Sequence, residues 1–120
     1  MTVEQFRKMA LALPDVEERA HMQHPDFRVR SKIFATLGYP DKEHGVLMLT
    51  PEQQNLYVRD TPEIFSPVRG AWGKAGSTLV SLNAANSEAV GDAMTAAWQN
   101  AVSKAAAKKR RSEGSRPPNS

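Results

Sequence analysis

Four sets of side chains in this 120-residue chain are of the kind that does chemistry, and their spacing decides how much each set can do. His21, His24 and Asp26, with His44 further along, are metal-ligand types. A zinc site needs three or four ligands converging from rigid elements at a defined spacing. Here His24 stands before Pro25, Cys is absent, and His44 adjoins a glycine, so surface histidines around a turn are expected, with no metal and no cofactor. Ser77 sits in Gly76-Ser77-Thr78, which lacks the G-x-S-x-G pattern of a nucleophile elbow. Glu17 and Glu18 are adjacent, so on a strand they point to opposite faces and cannot share acid–base work. Gly70 to Gly76 has a glycine at every third position and carries Lys74. A phosphate loop would need a glycine where Val68 stands and Ser or Thr where Ala75 stands. The expectation there is a structural loop folded tightly around a buried side of Trp72. No catalytic residues are assigned, and the chain is not expected to be an enzyme.

The fourth set is basic. Arg28, Arg30 and Lys32 alternate within a β-type stretch, and Arg69 and Lys74 flank the Gly-rich loop. An uninterrupted strand would place the first three on one face. A turn at Arg30-Ser31 would instead put Arg30 at the tip and Arg28 and Lys32 on opposite faces. In both geometries guanidinium groups sit at a hairpin end, where a β-ribbon can meet phosphates or a groove. Lys108, Lys109, Arg110 and Arg111 add a second cationic segment. These nine residues are the candidate DNA contacts.

The net charge of +3 is unevenly spread. Residues 104–120 hold six basic side chains against Glu113, a net +5, while residues 1–103 hold ten basic against twelve acidic, a net −2. The basic character therefore belongs to the C-terminal segment, which weakens the case for a strongly basic nucleic-acid-binding body. Without Cys there is no disulfide or thiolate chemistry, and a reducing compartment is compatible. No apolar run approaches the roughly 20 residues that span a bilayer. Arg7 and Lys8 interrupt any signal-like N-terminus. The expectation is a soluble, cytoplasmic monomer.

The elements that must position these groups follow from pattern. Thr2 and Gln5 form a capping box before the stripe Val3, Phe6, Met9, Ala10 and Leu13, and Pro14 ends that helix. Asp15–Met22 reads as a first edge strand, and Phe27–Val29, Lys32–Leu37 and Val46–Leu49 as strands, with a turn over Gly38–Asp41. Thr50-Pro51-Glu52-Gln53 starts a second helix by N-cap, N1 proline and N3 glutamine. Thr78–Leu82 is the last strand. The final helix follows from Asn86 or Ser87 on the stripe Val90, Ala93, Met94, Ala97, Trp98, Ala101, Val102 and Ala105. Residues 1–105 form one domain. Residues 106–120 form a basic tail, expected to be disordered from Arg110 onward because it is charged, rich in Gly, Ser and Pro, and free of aromatics. Short strand connections favour an α+β fold with a largely antiparallel sheet. Its expected core is Phe6, Leu13, Ile33, Leu37, Val80, Met94 and Trp98.

His24-Pro25 followed by Phe27-Arg28-Val29 and Lys32-Ile33-Phe34-Ala35 resembles the MmcQ/YjbR family of small bacterial proteins. So, in order, do Leu13-Pro14, Leu49–Gln53, Phe65-Ser66-Pro67-Val68, Trp72–Gly76 and Ala96-Ala97-Trp98. Together these cover residues 2 to 105. The resemblance implies the order α-β-β-β-α-β-β-α, with helices packed on one face of the sheet, and a DNA-binding role through backbone electrostatics. One departure is Arg30-Ser31, where the family is Gly-rich. A tight primed turn without Gly is strained, so either both residues accept positive φ or the loop is wider.

The fold class also resembles the secretion-chaperone architecture, which makes a protein-binding module the alternative. One continuous basic face joining Arg28, Arg30, Lys32, Arg69 and Lys74 would favour DNA. An exposed apolar patch would favour a protein partner.

Overall fold

The computed structural model describes residues 1–21 and 24–114. Helix α1 (Val3–Leu11) begins at Thr2, whose hydroxyl accepts the Gln5 amide while the Gln5 side chain accepts the Thr2 amide. Four strands follow: β1 (Val16–His21), β2 (His24–Val29), β3 (Lys32–Leu37) and β4 (His44–Met48). Helix α2 (Pro51–Asp60) repeats the capping box with Thr50 and Gln53. Strand β5 (Phe65–Pro67), the one-turn helix α3 (Ala71–Lys74), β6 (Ser77–Ser81) and the long α4 (Ser87–Gly114) complete the chain. Asn86 caps α4 through its side-chain oxygen, which accepts the Ala89 amide at 2.8 Å.

The six strands form one antiparallel sheet in the order β1-β2-β3-β4-β6-β5. The expected strands at Asp15–Met22 and Val46–Leu49 fall on β1 and β4, with Met22 outside the described residues, so the first run holds four strands where the implied order had three. Helices α1, α2 and α4 cover one face. Phe6, Phe27, Phe34, Phe65, Leu37, Leu47, Val80 and Met94 lie there, each at most 2 % exposed. Among the described residues no helix is long and apolar enough to cross a membrane.

Two local features decide which side chains reach the other face. Val29 pairs with Lys32, leaving Arg30 (φ 51°) and Ser31 (φ 68°) as a two-residue hairpin turn with both residues left-handed. This is the primed geometry that matches strand twist, accepted here without glycine. The second feature is a β-bulge. Phe27 pairs with Ala35 and Arg28 with Ile33, so Phe34 is an extra residue on β3. Phe34 and Ala35 both turn into the core, and alternation is reset around them.

That bulge corrects the expected core. Strict alternation groups Ile33 with Ala35 and Leu37, whereas Ile33 lies on the opposite face and is 38 % exposed. Leu13 and Trp98 are half-buried and pack against the core, and the Trp98 indole N–H donates to the Pro14 carbonyl at 3.0 Å. The α4 backbone continues through 106–114, past the point where disorder was expected, as suits a run of Ala, Lys and Arg. Residues 115–120, where the rest of that expectation falls, lie outside the described residues.

Candidate functional site

Among the described residues, no layer packs over the face of the sheet opposite the helices. His24, Asp26 and Arg28 of β2, Ile33 and Thr36 of β3, Val46 and Met48 of β4 and Ser77 of β6 line a cavity of about 520 Å³ there. Tyr39 enters from the β3–β4 loop, and Val68, Arg69 and Trp72 from the β5–α3 segment. The floor is apolar, and three large apolar side chains at this face stay wet: Ile33, Tyr39 (49 % exposed) and Trp72 (70 %).

Trp72 corrects a second expectation, since it is not the buried centre of its loop. The glycines explain why. A Cβ on Gly73 would lie 1.6 Å from the Val68 carbonyl oxygen, and one on Gly76 would lie 1.9 Å from that of Leu49. The close contacts of the segment are therefore made by glycine backbone, and the neighbouring indole is left pointing outward. Gln54 of α2, 6 % exposed, locks this arrangement from beneath. Its amide donates to the carbonyls of Gly73 (2.9 Å) and Ser77 (3.0 Å).

The charged groups of this face are mostly matched in pairs. Asp26 is 2 % exposed, and its two carboxylate oxygens accept from Arg28 Nε at 2.8 Å and Nη2 at 3.1 Å. This forked bond raises the pKa of the guanidinium above its ordinary value, so Arg28 is held charged and in place. On β1, Arg19 Nε donates to Glu17 at 3.0 Å. Arg69 and Lys74 are exposed and form no ion pair with any described residue.

The expected basic cluster is thus divided. Arg28 and Arg69 share the cavity. Arg30 stands at the exposed hairpin tip. Lys32, opposite Val29, belongs to the helix-covered face. Of the two hairpin geometries open to the sequence, the turned one is present. Lys108 is exposed on α4, where the backbone also carries Lys109, Arg110 and Arg111. Of the metal-ligand types, His24 and Asp26 line the cavity, whereas His44 bonds to Asp41 at 2.8 Å. Ser77 is buried with its hydroxyl 3.4 Å from the Met48 sulfur, and Glu18 turns to Arg7 of α1, on the face opposite Glu17. Sequence reasoning missed Ile33, Tyr39, Val46, Met48 and Trp72 as site residues. The legible signal was the Asp-x-Arg spacing of Asp26 and Arg28, which on a strand puts both groups on one face.

An antiparallel sheet with helices on one side and an apolar, partly charged hollow on the other defines a small α+β fold. The YjbR family model matches residues 11–100, three quarters of the sequence, and the chain belongs to that family. No curated protein matches it. Among solved structures it is similar to the crystal structure of Deinococcus radiodurans protein DR2400, which carries a DUF419 domain. The TM-score is 0.67 at 19 % identity, over 81 % of this chain and 75 % of that one, a likeness of fold.

Proposed function

We propose that this chain is a non-enzymatic binding protein whose working surface is the open face of the sheet, and that the partner class it suits is protein. The observation that supports this reading is the grouping of exposed Ile33, Tyr39 and Trp72 around an apolar cavity. Aromatic side chains at the centre of a hollow are the usual anchors of protein interfaces. The five body cations do not form one face, and Arg28 is already bound to a buried carboxylate. No acid and base converge on a nucleophile among the described residues, which favours binding over catalysis.

The test uses 8-anilinonaphthalene-1-sulfonate, a fluorescent probe of exposed apolar hollows. The native protein should enhance its emission, and the double variant Ile33→Asp, Trp72→Ala should lose that enhancement while keeping native circular dichroism. Leu56→Asp, at an exposed position on α2, serves as control and should leave it intact. Equal enhancement in all three proteins would remove the open face as a binding surface.

DNA binding is the second reading, and a different region favours it. Helix α4 carries Lys104, Lys108, Lys109, Arg110 and Arg111 on continuous helical backbone, a sequence-independent source of phosphate contacts. Changing the last four of these to Gln should flatten the slope of log K against log salt for duplex DNA by about 0.9 per lost contact. Changing Arg28 and Arg30 to Ala should do less. If no duplex binds at low salt, the DNA reading fails.

A further inference from the structure

The two sides of the open face differ in charge. On the β1–β2 side, Glu17 holds Arg19, and Asp26 holds Arg28 by both oxygens, so cations and anions cancel. The opposite wall comes from the segment after β5, where Arg69 lines the cavity and Lys74 lies a few residues on. Both are exposed, and neither forms an ion pair with a described residue. Among the described residues Asp26 is the one carboxylate lining the cavity, and it is already bound to Arg28. A group entering the hollow therefore meets an apolar floor of Ile33, Val46 and Met48, the Trp72 ring at the mouth, and a positive wall at Arg69. The volume of about 520 Å³ falls within the range of cavities that take small ligands whole, so a large side chain can enter it completely.

We propose that the open face docks an acidic segment of a partner protein anchored by one large apolar side chain. The anchor seats on Ile33, Val46 and Met48 beneath Trp72, and a carboxylate within two residues of it pairs with Arg69. This rests on the open face being the working surface and adds the chemistry of what it takes. A nucleic-acid backbone suits the same wall less well, because among the described lining residues its phosphates would find Arg69 as the one arginine not already held by a carboxylate, while its sugars covered an apolar floor.

The experiment pans a random heptapeptide display library on the full chain, on Arg69→Glu, and on the double variant Ile33→Asp, Trp72→Ala. Each protein is first checked for native circular dichroism. The native chain should enrich peptides with Phe, Trp, Leu or Met and an Asp or Glu within two positions. The acidic neighbour should be favoured roughly 5-fold over a neutral one, the upper range for a rim ion pair. Arg69→Glu should keep the apolar anchor and turn the neighbour preference toward Lys and Arg. The double variant should enrich nothing of this kind. Apolar peptides with no acidic preference, or the same preference in Arg69→Glu, would overturn the inference and leave the open-face reading standing. Enrichment that survives in the double variant, or none on the native chain, would overturn both. Displacement of the enriched peptide by duplex DNA from the native chain but not from Arg69→Glu would make the face a nucleic-acid site and overturn the inference.

Discussion

The two faces of the sheet are built from the same strands, yet they differ in nearly every physical respect. On the helix-covered face, Phe27, Phe34, Leu37, Leu47 and Val80 are at most 2 % exposed and pack against α1 and α4. On the open face, residues alternating with these form a hollow in which apolar side chains stay wet and most charged groups are paired. Stability resides mainly on the first face, since apolar burial is the dominant favourable term in folding. The second face retains exposed apolar surface at Ile33, Tyr39 and Trp72, with no layer over it among the described residues. The lesson is that hydrophobic residue type does not by itself distinguish core from exposed surface. What packs over the residue does.

The sharpest way to break this comparison is a matched pair of truncations on opposite faces. Phe27→Ala should cost about 3–5 kcal/mol in urea unfolding, as expected for a fully buried aromatic. Ile33→Ala should cost about 1 kcal/mol or less, because much of its side chain is already in water. Equal costs would mean that Ile33 belongs to the core and that the bulge does not divide the faces.

The presentation of Trp72 can be tested from its neighbour. Gly73→Ala places a Cβ against the Val68 carbonyl, so the segment must shift and its bonds to Gln54 must loosen. A loss on the order of 1–3 kcal/mol is expected, with a changed Trp72 fluorescence spectrum. Trp72→Ala itself, at an exposed position, should change stability by no more than about 0.5 kcal/mol.

Within the open face, the two arginines should separate cleanly. Arg28→Ala leaves the buried Asp26 carboxylate without its partner, and the thermal midpoint should fall. Arg69→Ala removes a surface charge that pairs with no carboxylate among the described residues, and the midpoint should stay where it is. A fall of equal size in both would show that Arg69 has a structural role.

The smallest effect lies on the covered side. Tyr57 donates its hydroxyl to Asp92 at 2.7 Å, and burial, aided by that bond, pushes its pKa up to about 12 from 10.0. A raised folded pKa means that this contribution to stability is fully present below the unfolded pKa near 10. It is lost as pH rises through about 12. Tyr57→Phe should flatten the decline in thermal stability across that window, measured by circular dichroism.

Much of this fold was legible in the amino-acid order, for a physical reason. The capping boxes of Thr2 with Gln5 and Thr50 with Gln53 are made between residues three apart, and strand alternation and the Pro stop after Leu13 are equally local. Such signals survive without knowledge of the rest of the chain. The turn at Arg30-Ser31 is local in the same way, since two residues between paired strands must take positive φ or widen the loop, and both take positive φ.

The open face was not legible in the same way. The exposure of Ile33 depends on the register between β2 and β3, which slips by one residue at Phe34 and is a property of two strands together. The exposure of Trp72 depends on where Gly73 and Gly76 meet backbone from distant parts of the chain. The charge of Arg28 is visible in sequence, but its capture by a buried Asp26 requires the strand, the pleat and the burial at once. Local order therefore determined which elements form and where they start. Tertiary packing alone decided which of their side chains were buried, which were matched, and which were left facing outward.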